Sequence, residues 1–298
     1  MYTLDPKTNL ITKGFDVPEP TLKSGSFSLA LLSLATKFIS EPIRVIPFAA
    51  WIAYCYFLFF STDTPGLNAL ALDPATWQEV KDLSLNYWLI LPTLSINTAP
   101  TVHPILEGTF NLLLAWVTLF VGFAVDGRSS YGNKNKFTGP LLGMQLLTNA
   151  IYLPYLVTRE SLSTKYETTG SFSPSFSSLN MIEKIGESKI TPIVLSAVGI
   201  YAMYWGATAR ADIYLDLPTR LSSFLKLFQT DRLTFSFVVD LFCLAIFQGW
   251  LVDDDAALRK GTSLNESVNE FNMLAAKYVP FFGLAYYLIS RPSLPRSK

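Results

Sequence analysis

The chain is short of charge and nearly without the side chains that most enzymes use. Only 15% of its 298 residues are Asp, Glu, Lys or Arg, against about a quarter in soluble domains. It has one histidine, His103, and two cysteines, Cys55 and Cys243, each inside an apolar stretch. A single histidine excludes the histidine-box chemistry of desaturases and hydroxylases, and bis-histidine haem ligation. Two distant cysteines build neither a disulfide frame nor a zinc site. There is no phosphate loop and no serine-hydrolase elbow, so the sequence names no cofactor and no metal site is expected. The 23 basic and 23 acidic residues cancel, which leaves no field to attract nucleic acid.

What is present is apolar. Half of the chain is hydrophobic and 14% is aromatic, and charge is lost from particular stretches of about 20 residues, the length that spans a hydrocarbon core. This predicts an all-α, polytopic transmembrane helix bundle. Six spans are expected: Val45–Ser61, Val102–Val125, Thr138–Val157, Ile190–Thr208, Thr234–Val252 and Met273–Ile289. Ser84–Ile96 is shorter and contains Pro92, which predicts a re-entrant or interfacial element. Residues 1–26 form a polar amino-terminal segment without the apolar core of a secretory signal. Residues 27–298 then read as a single transmembrane domain, opening on an amphipathic surface helix at 27–39. Residues 158–189, rich in Ser and Thr, predict a long outer loop.

Basic residues decide the number of spans. With six, 15 fall on one side and 7 on the other; counting Ser84–Ile96 as a span dissolves that bias. The excess of basic residues on cytoplasmic loops therefore predicts six spans, with both termini cytoplasmic or stromal. An endoplasmic reticulum, bacterial inner or thylakoid membrane would fit. No internal repeat is evident, although the second and fifth spans both end in acidic clusters, at Asp126 and at Asp253-Asp254-Asp255. The three consecutive carboxylates diverge on a helix and are expected to be solvated. Asn265-Glu266-Ser267 is a formal glycosylation sequon.

The polar residues inside these spans are the candidates for function. His103, Glu107 and Asn111 are spaced four apart, so they share one helix face. A carboxylate in such a segment costs roughly 2.5–3.5 kcal/mol unless something solvates it. Gln145 and Asn149 are four apart on the third span. At about 1.5 Å per residue, Asn149 falls at the depth of Asn111, which predicts an interhelical amide pair. Asp240 is a second intramembrane acid, with Arg232 or Arg210 as its expected partner, and Gln248 with Trp250 would complete an outer pocket. The expected site is thus an acid–base pair, Glu107 with His103, and a ligand pocket of Asn111, Asn149, Gln145, Gln248, Trp250 and Asp240.

His103-Pro104-Ile105-Leu106-Glu107-Gly108 resembles the His-x-x-x-Glu-Gly start of a membrane helix in the emopamil-binding (EXPERA) superfamily of sterol isomerases and lipid-binding proteins. The resemblance implies that His103 and Glu107 serve a proton shuttle that shifts a double bond. It covers six residues. That family has fewer spans, and its further acid on the next helix has no counterpart between Thr138 and Val157.

Three functions follow as expectations. The first is an enzyme or binding protein acting by acid–base chemistry on a lipophilic small molecule (a sterol, isoprenoid, carotenoid or pigment) taken from the lipid bilayer. The second is a non-catalytic assembly factor or accessory subunit bound to other membrane protein subunits. The third is a proton-coupled transporter, which calls for repeats and broken helices that the sequence does not display.

Overall fold

The computed structural model describes residues 2–4, 11–13, 32, 34–96, 100–126, 137–159, 179–260 and 270–293. It divides into two units, Met1–Ile43 and Arg44–Lys298. In the first, β1 (Tyr2–Leu4) pairs antiparallel with β2 (Ile11–Lys13), Tyr2 opposite Lys13, and residues 34–40 are helical. The segment 14–31, which includes the first five residues of the expected surface helix, lies outside the described residues.

The second unit is helical among its described residues. Its elements are α1 (Val45–Cys55, continued by a π-turn at Tyr56–Phe60), α2 (Pro74–Leu85), α3 (Ile90–Thr93), α4 (Pro104–Leu119, continued by a 3-10 turn to Asp126), α5 (Thr138–Thr158), α6 (Met181–Glu187), α7 (Ile190–Thr208), α8 (Ala211–Tyr214), α9 (Leu217–Thr230), α10 (Arg232–Lys260), α11 (Glu270–Tyr278) and α12 (Phe282–Ser290). Helix starts follow local chemistry. Asp73, Asn180 and Asp216 each accept a backbone N–H three residues on, and Pro74 and Pro218 sit in first turns, where a missing N–H goes unnoticed. Five helices are long and apolar enough to cross a membrane: Pro42–Phe60, Pro104–Ala124, Thr138–Thr158, Ile190–Thr208 and Arg232–Ala257.

The central helix is α4. Leu106, Leu113, Ala115, Val117 and Leu119 have no exposed surface. It packs antiparallel against α7 along its length. Glu107 meets Trp205 near one end, and Gly186, just before α7, meets Val121 at the other. Gly108 makes this closeness possible, because a Cβ there would lie 2.5 Å from the Ala202 carbonyl oxygen, the use of small residues common between membrane helices.

That antiparallel pairing overturns the expected six-span path, in which the second and fourth spans run the same way. The reason lies in α5, which folds back at mid-length instead of running straight. At Leu147 and Thr148 the backbone leaves helical geometry (Thr148 φ 33°, ψ −110°), and the helix folds back on itself. The Cβ position of Gly143 lies 3.3 Å from the Ile151 side chain, and the rings of Phe137 and Tyr155 are 5.2 Å apart. In a straight helix those pairs would be about 12 Å and 27 Å apart along the axis. Both ends of α5 therefore emerge where Arg159 pairs with Asp254 and Arg44 donates to the carbonyls of Leu156 and Val157.

The sixth expected span is a second hairpin. Helices α11 and α12 are nine residues each, joined through Pro280 and Phe281 (φ 56°). Their arms close on Gly283, where a Cβ would meet the Ala275 carbonyl oxygen at 2.1 Å. The tip rests on Gln248 of α10, and Arg291, just after α12, returns to Asp255. Four helices then run from one end of the bundle to the other: α1, α4, α7 and α10.

The order of elements recurs. A crossing helix (α1, α7) leads to short helices on the far side (α2–α3, α8–α9). A second crossing helix (α4, α10) leads back to a re-entrant hairpin (α5, α11–α12). The two copies run in the same direction, as in the parallel repeats of membrane transporters. The sequence displays no such repeat. The acidic clusters at Asp126 and Asp253–Asp255 fall at corresponding ends of α4 and α10.

Candidate functional site

The expected acid–base pair is separated. Glu107 has no exposed surface, and its carboxylate is filled by fixed donors. Arg210 reaches both oxygens, at 2.7 and 3.3 Å, Trp205 Nε1 donates at 2.7 Å and Asn86 Nδ2 at 3.1 Å. Arg210 also donates to the Pro100 carbonyl. His103 faces elsewhere. It caps α4, with Nδ1 accepting from the Ile105 N–H. That bond leaves Nε2 as the N–H that donates to Ser223 Oγ at 2.9 Å, while Tyr214 and Phe224 pack on its ring. Asn111 turns back on its own helix and donates to the Glu107 carbonyl. The stripe that opens α4 thus joins α4 to α7, α9 and the segment 86–100.

The other expected residues divide between structure and site. Gln145 bonds Thr118 at 3.2 Å, within α5's first arm. Gln248 accepts from Trp116 Nε1 and donates to the carbonyls of Ala276, Lys277 and Val279, so it caps the exposed carbonyls at the end of α11. Trp250 packs against the core. Arg232, an expected partner of Asp240, instead gathers the carbonyls of Phe57, Ser61, Thr64, Pro65 and Gly66 at the end of α1. Its alternative, Arg210, is taken by Glu107.

Of the two intramembrane acids, Asp240 is consequently the one left without a cation among the described residues. It is 2% exposed and lies eight residues into α10, about 12 Å from the Arg232 end. The tip of the α5 hairpin comes to it. Asn149 Nδ2 donates to Asp240 Oδ1 at 2.7 Å and to its backbone oxygen at 3.0 Å, so the expected Asn111–Asn149 pair does not form. Thr148 on the tip and Tyr54 on α1 lie beside this carboxylate. Asp240 comes from the second repeat and its three partners from the first, so the group sits on the boundary between repeats. Tyr54, Thr148 and Asn86 were not singled out in the sequence. A strained Thr-Asn tip carries none of the glycine or proline that marks a turn.

Beside Tyr54, a shallow open crevice runs between α1 and α10, lined by Tyr54, Phe57, Leu58, Phe235 and Val239, with Arg232 and Ser236. The corresponding seam between α7 and α4 is the one closed by Gly108.

At the Arg291 end, charges are buried but balanced. Asp255 and Glu187 are shared by Arg259 and Arg291 at 2.6–3.0 Å, and Tyr287 donates to Asp255. Asp253 pairs with Lys277 and Asp254 with Arg159. The acidic run is therefore not a solvated cap; its members diverge to three sets of cations. Lys189, which donates to the carbonyls of Leu288 and Arg291, is lowered to about 8 by burial and then by Arg291 and Arg259. Among the described residues no three His, Cys, Asp or Glu side chains converge on a metal position. No family model, curated protein or solved structure matches this chain.

Proposed function

We propose that this multi-pass membrane protein is an ion-coupled transporter with Asp240 as its coupling group. The observation that carries the reading is Asp240 itself: a buried carboxylate without a cation, on the boundary between two parallel repeats, held by the tip of a helix that turns back inside the bundle. Discontinuous helices meeting near mid-depth at a repeat boundary are how many transporters build their sites. Non-helical backbone at such depth is otherwise tolerated only against protein or water. Glu107, neutralised by Arg210, becomes a structural fastening.

Orientation follows from the hairpins. Position 44 and the sequence stretches 125–137, 158–189, 258–269 and 291–298 join ends at the Arg291 side and hold 13 basic residues. The stretches 61–103 and 209–232, which join ends at the opposite side, hold 5. That bias makes the Arg291 side cytoplasmic or stromal.

Proteoliposomes given concentration jumps of small polar solutes should pass a transient current with at least one of them. The current should vanish in Asp240→Asn and persist in Asn111→Ala. Silence across the panel, or currents indifferent to Asp240, contradicts transport.

A second reading, binding of a lipophilic molecule, is favoured by the α1–α10 crevice. Protein purified in mild detergent would then carry a lipid-soluble molecule visible by native mass spectrometry and displaced by Val239→Trp.

A further inference from the structure

We infer that the ion taken up at Asp240 is a proton rather than a metal cation, and that a neighbouring hydroxyl, of Tyr54 or Thr148, accepts from the acid so formed. The transport reading gives this its consequence; the site itself is argued from its own atoms.

An isolated charge away from water takes a counter-ion or is neutralised, and among the described residues no cationic side chain reaches this one. The groups that face it are Tyr54 on α1, Thr148 and Asn149 on the hairpin tip, and Cys243 one turn along α10. Tyrosine and cysteine are both neutral near pH 7 in the ordinary case, so nothing in the surroundings supplies positive charge.

A hard metal cation needs about six converging oxygens. The site offers the reverse. Asn149 turns its NH₂ to the carboxylate, and that orientation is fixed, because the same nitrogen lies 3.0 Å from the Asp240 backbone oxygen, which can only accept. The amide oxygen is buried and without a partner among the described residues.

A proton fits without rearrangement. Ionised, the carboxylate accepts from the Asn149 amide, with two hydroxyls beside it. On protonation the carboxylate becomes a carboxylic acid, its oxygen gains one O–H, and that O–H donates to the Tyr54 or Thr148 oxygen. A hydroxyl can accept as readily as donate, so either neighbour can take that O–H. One proton is taken up, no other bond breaks, and the Asn149 bond to the backbone is kept in both states.

Infrared difference spectra of the detergent-solubilised full chain, recorded as pH is stepped, test this directly. The expected result is a protonated-carboxyl band that disappears in Asp240→Asn, stays in Glu107→Gln, returns at a shifted position in Asp240→Glu, and moves in frequency in Tyr54→Phe. Added sodium or calcium should leave it unchanged at fixed pH. A band that survives Asp240→Asn, the lack of any such band in the wild type, or its loss on adding either cation would overturn the assignment. If the band behaves as expected and proteoliposomes pass no current, only the transport reading fails. If current flows without the band, only the proton assignment fails.

Discussion

At the scale of single residues, burial was legible and partnership was not. Glu107 and Asp240 were recognisable because an acid inside an apolar run must be accounted for. Which cation answers it depends on residues far along the chain: Arg210 lies 103 positions from Glu107, and its own sequence neighbourhood reads as an ordinary boundary arginine. The separation reverses the expectation for Glu107→Gln, from a folded but inactive protein to a destabilised one. Breaking one partner of a buried pair costs about 3–5 kcal/mol, and thermal unfolding in detergent should show a lower midpoint. The double variant Glu107→Leu with Arg210→Met should recover most of the loss. An unchanged midpoint with lost activity would restore the acid–base reading.

A second residue sets a pH dependence. Glu79, on α2 outside the crossing helices, is half-buried near Asp231 and Asp82, and burial first, then those two carboxylates, raises it to about 7. The folded chain therefore holds this proton more tightly than the unfolded one. Its contribution to stability is complete below about 4.5, the ordinary value, and is lost as pH rises through about 7. Unfolding midpoints should fall across that window in the wild type and fall less in Glu79→Gln. Parallel curves for the two proteins would refute the assignment.

At the scale of elements, the spans with the clearest apolar runs were read well; Ile190–Thr208 has the same bounds in sequence and structure. Thr138–Val157 was read to within one residue of the helix Thr138–Thr158, but not its turn back at mid-length. A 20-residue apolar segment has one composition whether it crosses or folds in half, and the turn at Leu147–Thr148 uses no residue that announces a turn. In the second hairpin Pro280 was the available signal, overridden by the continuity of hydrophobic residues around it.

Close helix contact at glycine gives a sharper test of the α4–α7 seam. Gly108→Leu should lower the unfolding midpoint markedly, because the added side chain meets the Ala202 backbone. Gly139→Leu, with open space around its Cβ position, should leave it unchanged or slightly higher, as expected for removing glycine from a helix. Equal effects of the two substitutions would mean that the seam is looser than described.

At the scale of the whole molecule, the account rests on two copies of one arrangement: a crossing helix out, a crossing helix back, and a hairpin that enters and leaves on the same side. The sequence hid this because the two copies share topology rather than residues. Glu107 has its arginine just past the end of the neighbouring crossing helix, whereas Arg232 caps carbonyls at the matching junction. The same arrangement explains the basic-residue bias better than six spans do, since over the same 18 basic residues from Arg44 on it gives 13 against 5 where six spans give 11 against 7.

Cysteine labelling decides between the two paths. In a background with Cys55 and Cys243 replaced by alanine, Phe137→Cys and Thr158→Cys place single thiols at the two ends of α5. A membrane-impermeant maleimide applied to sealed, oriented vesicles should label both from the same face. Labelling from opposite faces would make α5 a true crossing, remove the hairpin tip from Asp240, and contradict the architecture on which the proposed function stands.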